Sequence, residues 1–203
     1  MIKINQKLDH PLEHKTECLI LACVEEKKPS GTLKKLSDEL AGVISHAFEN
    51  KRFNGNPGQA LLLNNNGKAS NLLLVGIGKS KDVTAEKICQ AAGTAAKLAE
   101  QSKFKSIAAD LSAFEGIVKG KGGFYRELAC SMAEGVGLAL YHFDNYKSRD
   151  EKDDPPSRIE KLTLLTASKS RQASIEKSIA RAEKIIGAVH TCLLYTSPSP
   201  RDS

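Results

Sequence analysis

Apolar positions along the chain fall into two patterns. Short, nearly continuous runs occur at residues 18–24 (CLILACV), 60–63 (ALLL), 72–77 (LLLVGI), 106–111 (SIAADL) and 159–166 (IEKLTLLT). Runs of this length, bounded by turn residues, predict β-strands. The run at 72–77 is wholly apolar and reads as a central strand covered on both faces. Between the runs, apolar residues recur at three- and four-residue steps, the spacing of one helix face. Leu33, Leu36, Leu40, Val43, Ile44 and Ala47 predict one helix ending near Asn50. Ile88, Ala91, Ala92, Ala95 and Ala99 predict an alanine-faced helix over 84–101. Leu128, Met132, Ala133, Val136 and Leu140 predict a third over 126–143. Ile175, Ile179, Ala182, Ile186, Val189 and Leu193 predict a last helix over 174–193.

Turn formers punctuate these elements. Residues 53–59 (FNGNPGQ) are dense in Asn, Gly and Pro, and 64–67 (NNNG) read as a hairpin turn. Residues 112–123 form a glycine-rich connection, and 145–158 a charged loop with a Pro pair. After a strand–helix–hairpin opening, strands and helices alternate. This predicts an α/β fold with a mixed, mostly parallel sheet and helices on both faces. Residues 195–203 (YTSPSPRDS) cut a helical pattern that is still running. They resemble translated adapter read-through and read as a foreign or disordered tail.

Composition sharpens this picture only slightly. The 203 residues are 40% hydrophobic and 27% charged, enough for one globular domain plus an extension. Aromatic residues are only 5% and Trp is absent, so Ala, Leu, Ile and Val must fill the core. The net charge of +6 permits contact with nucleic acid without requiring it, because the basic residues are dispersed among acids. The five cysteines show no CxxC spacing. Cys18, Cys23, Cys89 and Cys130 sit in apolar runs and read as reduced core residues, which points to a cytoplasmic protein. Residues 1–15 lack the apolar stretch of a signal peptide, and no run approaches the ~18 apolar residues of a membrane span.

Each candidate for chemistry has a plain structural reading. Gly76-Ile77-Gly78-Lys79-Ser80 follows a strand and precedes a helix, where a phosphate loop would stand. The spacing fails: a P-loop needs Gly where Leu73 stands, and a dinucleotide fingerprint needs Gly where Lys81 stands. Gly120-Lys121-Gly122-Gly123 reads as a flexible loop that could also offer amides to an anion. His10 and His14 lie near an end expected to be mobile, and His46 and His190 are expected at helix surfaces or boundaries. Neither these nor His142 form an HExxH or other ligand spacing, and no GxSxG elbow occurs. Cys89 and Cys130 are expected on inner helix faces without a basic partner. Asp150, Glu151, Asp153 and Asp154 alternate with bases in a solvated loop. No catalytic, cofactor-binding or metal-ligating residue is therefore assigned.

Three segments together carry a resemblance. Gly55-Asn56-Pro57-Gly58-Gln59-Ala60-Leu61-Leu62-Leu63 precedes Leu72-Leu73-Leu74-Val75-Gly76-Ile77-Gly78-Lys79. Further on stands Glu134-Gly135-Val136-Gly137-Leu138-Ala139-Leu140-Tyr141-His142-Phe143-Asp144-Asn145-Tyr146-Lys147. Over about residues 16–192 the order and spacing resemble the amino-terminal domain of the leucyl aminopeptidases, also called cytosol aminopeptidases. The resemblance implies a three-layer α/β/α, macro-domain-like fold over 1–168. It further implies a connector helix over 169–193 leading to a catalytic domain, with 194–203 as the foreign tail. In that family the catalytic domain, not this region, holds two divalent metals (manganese or zinc) that act on peptide substrates, and the assembly is a hexamer. Some bacterial members use the amino-terminal domain in DNA binding. Two alternatives stay open: a stand-alone macro-like domain binding ADP-ribose or a nucleotide, and a DNA-binding domain.

Overall fold

The computed structural model describes residues 2–114, 124–142 and 158–196. Six strands form one sheet: β1 (Lys3–Leu8), β2 (Thr16–Val24), β3 (Ala60–Asn64), β4 (Ala69–Gly78), β5 (Ser106–Asp110) and β6 (Lys161–Thr166). Their order is β1-β6-β5-β2-β4-β3. All neighbours are parallel except β3, which returns antiparallel along β4. The helices are α1 (Gly31–Glu39), α2 (Val43–Glu49), α3 (Ala85–Gln101), α4 (Phe124–Ala139) and α5 (Gln172–Thr196).

Connection direction explains the layers. From β2 the chain moves one way across the sheet to β4. From β4 to β5, and on to β6, it moves the other way. Right-handed crossovers require the covering helices to change faces when the direction reverses. Accordingly α1 and α2 cover one face, while α3, α4 and α5 pack side by side on the other. Strand alternation divides the core between them: Ile20 and Ala22 face α3–α5, whereas Leu19, Leu21 and Cys23 face α1 and α2.

The structure departs from the sequence reading in four places. Residues 3–8 (KINQKL) form an unpredicted strand, because an edge strand with one buried face needs little apolar residue; only Ile4 is fully buried in it. The expected single helix over 33–49 is two. Ala41 (φ 53°) and Gly42 (φ 78°) adopt left-handed backbone, and the Gly42 N–H donates to Ser37 O at 2.8 Å, closing α1 in a Schellman-type turn. Val43 consequently turns out to solvent. The third helix stops at Ala139 rather than Phe143. The last helix runs on to Thr196, but its buried face ends at Ile186 and Leu193 is exposed.

Ser37 ties the two short helices together. Its side chain is fully buried, accepts the Ser45 N–H at 2.9 Å and shares a 2.8 Å hydrogen bond with the Ser45 hydroxyl. It thus satisfies a first-turn amide of α2 that has no intrahelical partner. At α3 the same task falls to Thr84, whose hydroxyl accepts the Lys87 N–H at 3.3 Å.

Candidate functional site

In open α/β sheets the place to search is the crevice beyond the carboxyl ends of the strands, where connections leave in opposite directions. Here that point lies between β2 and β5. A cleft of about 230 Å³ opens beside the end of β2, lined by Cys23, Glu26, Ser30, Thr32, Phe48 and Ser80 among others. A shallower groove of about 890 Å³ adjoins it, carrying both Glu25 and Glu26 and Lys27, Lys28 and Lys51. Its charges are mixed, and Lys28 pairs with Glu49 at 3.6 Å. On the β5 side, buried Asp110 accepts the Ser112 N–H and the Ser112 hydroxyl, both at 2.8 Å. This Asx-type turn ends the strand.

The glycines at this end are used for packing. The Gly76 N–H donates to Gln59 O at 2.8 Å, and the Gly78 N–H to Gly55 O at 2.9 Å. These amides are therefore taken by the 55–59 turn and do not form a phosphate cradle. A Cβ on Gly76 would stand 2.0 Å from Asn56 O. One on Gly55 would stand 2.1 Å from Val24 O, and Gly55 also has φ +77°. Backbone lies directly on backbone, and only glycine permits that approach.

The glycines of the third segment of the resemblance are also spent on packing. A Cβ at Gly135 would meet Cys89 O of α3 at 2.1 Å, and one at Gly137 would meet Ile186 Cδ1 of α5 at 2.3 Å. The segment thus lets α4 approach both neighbours. Residues of the same segment also line a cavity of about 270 Å³, where Gly137, Leu140 and His142 meet Ile2, Glu100 and His190, among others. His142 Nε2 lies 2.9 Å from Glu100 Oε1. His190 Nε2 lies 3.2 Å from Gly137 O, its ring 4.8 Å from that of Tyr141. These contacts fasten the ends of α3, α4 and α5 to one another.

The remaining candidates resolve as follows. His46 is exposed, and His190 lies within α5, half-buried at the edge of its packed face. His14 departs from the sequence reading: it is buried, with Nδ1 3.1 Å from Asp9 Oδ2, so the residues after β1 are anchored rather than mobile. Lys7, at 2.9 Å, and then His14 hold the Asp9 carboxyl below its usual pKa. Cys18, Cys23 and Cys130 are buried, whereas Cys89 is only half-buried and Cys192 is exposed. Burial pushes the Cys18 and Cys130 thiols up to about 12. Cys130 does have basic neighbours, Arg181 and Arg126, but burial and the hydrogen bond to Glu134 at 3.0 Å outweigh them. These thiols are unsuited to nucleophilic work. Among the described residues, no three His, Cys, Asp or Glu side chains converge to hold a metal ion. The Gly120–Gly123 loop and the acidic cluster at Asp150–Asp154 lie outside the described residues.

What the sequence reading missed are anchors: Ser37, the Asp9–His14 pair and the Glu100–His142 pair. Serine, aspartate and histidine at such spacings carry no pattern of their own. Only the fold brings their partners near.

A three-layer α/β/α sheet with this strand order is a macro-type fold. Two solved structures of a Trypanosoma brucei macrodomain share it, one with a TM-score of 0.64 at 10% identity, covering 86% of this chain and 65% of that one. The other was solved in complex with ADP, with a TM-score of 0.58. A tomato leucine aminopeptidase mutant has a TM-score of 0.75 at 24% identity, covering 93% of this chain and 37% of that chain.

The sequence profile of the cytosol aminopeptidase family, N-terminal domain, matches residues 20–150. The chain belongs to the cytosol aminopeptidase family and corresponds to its amino-terminal domain. A probable cytosol aminopeptidase of Geobacter sp. (strain M21) is 31% identical over 191 residues, covering 93% of this chain and 36% of that protein. The cytosol aminopeptidase of Pseudomonas aeruginosa PAO1 is 33% identical over 174 residues, covering 84% and 33%. The chain therefore spans about a third of the length of the curated relatives it matches. No helix among the described residues is long and apolar enough to cross a membrane.

Proposed function

We propose that this chain is the non-catalytic scaffold of a longer metal-dependent aminopeptidase, which releases amino-terminal residues from peptides. One observation carries the reading: the glycines of the described family segments are taken up by packing. The 55–59 turn is locked onto β2 and β4, and Gly135 and Gly137 onto α3 and α5. The described donors do not fit a metal site, so no hydrolytic step is derived through this chain. In the longer protein, two divalent ions, manganese or zinc, would supply the Lewis-acid chemistry of peptide hydrolysis. Those ions would sit in the catalytic domain of that longer protein. Residues 1–168 would form the scaffold, 169–193 the connector and 194–203 a tail foreign to it. A hexameric assembly in the cytoplasm fits the same reading.

The purified chain is expected to leave leucine amide intact with manganese or zinc present; turnover above the metal-only blank overturns the proposal. Fused through α5 to the carboxy-terminal two thirds of a relative, it is expected to support hydrolysis. The macro-type fold makes a nucleotide the second ligand to test. Because the Gly76 and Gly78 amides are taken and so offer no cradle to a pyrophosphate, titration with ADP-ribose is expected to give no heat. A DNA-binding role would require affinity that falls steeply with salt; the bases dispersed among acids predict weak binding with a shallow slope instead.

A further inference from the structure

We draw no further inference here: the strongest candidate, the cavity of about 270 Å³ among the ends of α3, α4 and α5, carries nothing, because its Glu100 carboxylate already pairs with His142 and its His190 imidazole with Gly137 O, and nothing in the structure shows what would fill it.

Discussion

The two faces of the sheet are sealed by opposite means. On the α3–α5 face, small residues bring backbones together: Ala91, Ala92, Ala95, Ala96 and Ala99 line α3, and Gly135 lets α4 touch the Cys89 carbonyl. On the α1–α2 face, bulk does the work. Leu33, Leu36, Ile44 and Phe48 fill the space, and Phe53 meets Phe48 edge-on at 5.3 Å. A chain with few aromatics therefore concentrates two of them under its shorter helices. The difference teaches where each face is brittle. Close-packed backbone cannot yield to an added atom, whereas a side-chain core suffers most from a removed one.

The sharpest way to break this contrast is Gly135→Val. The new Cβ would lie 2.1 Å from Cys89 O, so α3 and α4 must separate. A loss above about 4 kcal/mol, or failure to fold, is expected in urea denaturation. Gly93→Ala is the milder probe of the same seam: a Cβ there meets Gly135 O at 3.3 Å, tight but short of a clash, and is expected to shift the midpoint far less than Gly135→Val. On the other face the large effect comes from deletion. Phe53→Ala empties a fully buried site and is expected to cost about 3–5 kcal/mol by the same measurement.

A smaller effect tests how α1 and α2 are joined. Ser37→Ala leaves the Ser45 N–H without its acceptor, at a cost of about 1–2 kcal/mol. A double-mutant cycle with Ser45→Ala separates this amide bond from the hydroxyl pair. The smallest effect lies at the β1 anchor. Lys7 and His14 lower the Asp9 pKa in the folded chain, so the carboxylate stabilises above its unfolded pKa. That contribution fades as pH falls through the folded value. Asp9→Asn is expected to cost a few tenths of a kcal/mol at neutral pH, as exposed ion pairs do. The gap from the parent should close in acid; thermal midpoints across pH would show it.

Much of the fold was legible because burial on both faces leaves continuous apolar runs. β2 and β4 needed nothing more, and α3 announced itself by its alanine face. β1 was not legible, since an edge strand with one buried residue looks like polar sequence. The break at Ala41-Gly42 was hidden because α1 and α2 present their apolar residues to the same surface, as one helix would. In the site, Gly76-Ile77-Gly78 stands where a phosphate loop would, and its spacing alone argues against one. Whether an amide is free depends on what lies across from it, and the partner here comes from the 55–59 turn.

Sequence alone determined the layer type, the alternation of strands and helices, and the family, because periodicity and glycine placement are local. Tertiary structure alone decided what the family segments are for. Gly55, Gly76, Gly135 and Gly137 are required by the nearness of Val24, Asn56, Cys89 and Ile186, residues remote or on other elements. Along the β3 edge, likewise, register turns the amides of Ala60, Leu62 and Asn64 outward, and no single strand specifies it. The physical reason is common to both. A glycine or an amide has no pattern of its own, and its role is set by the atom it faces.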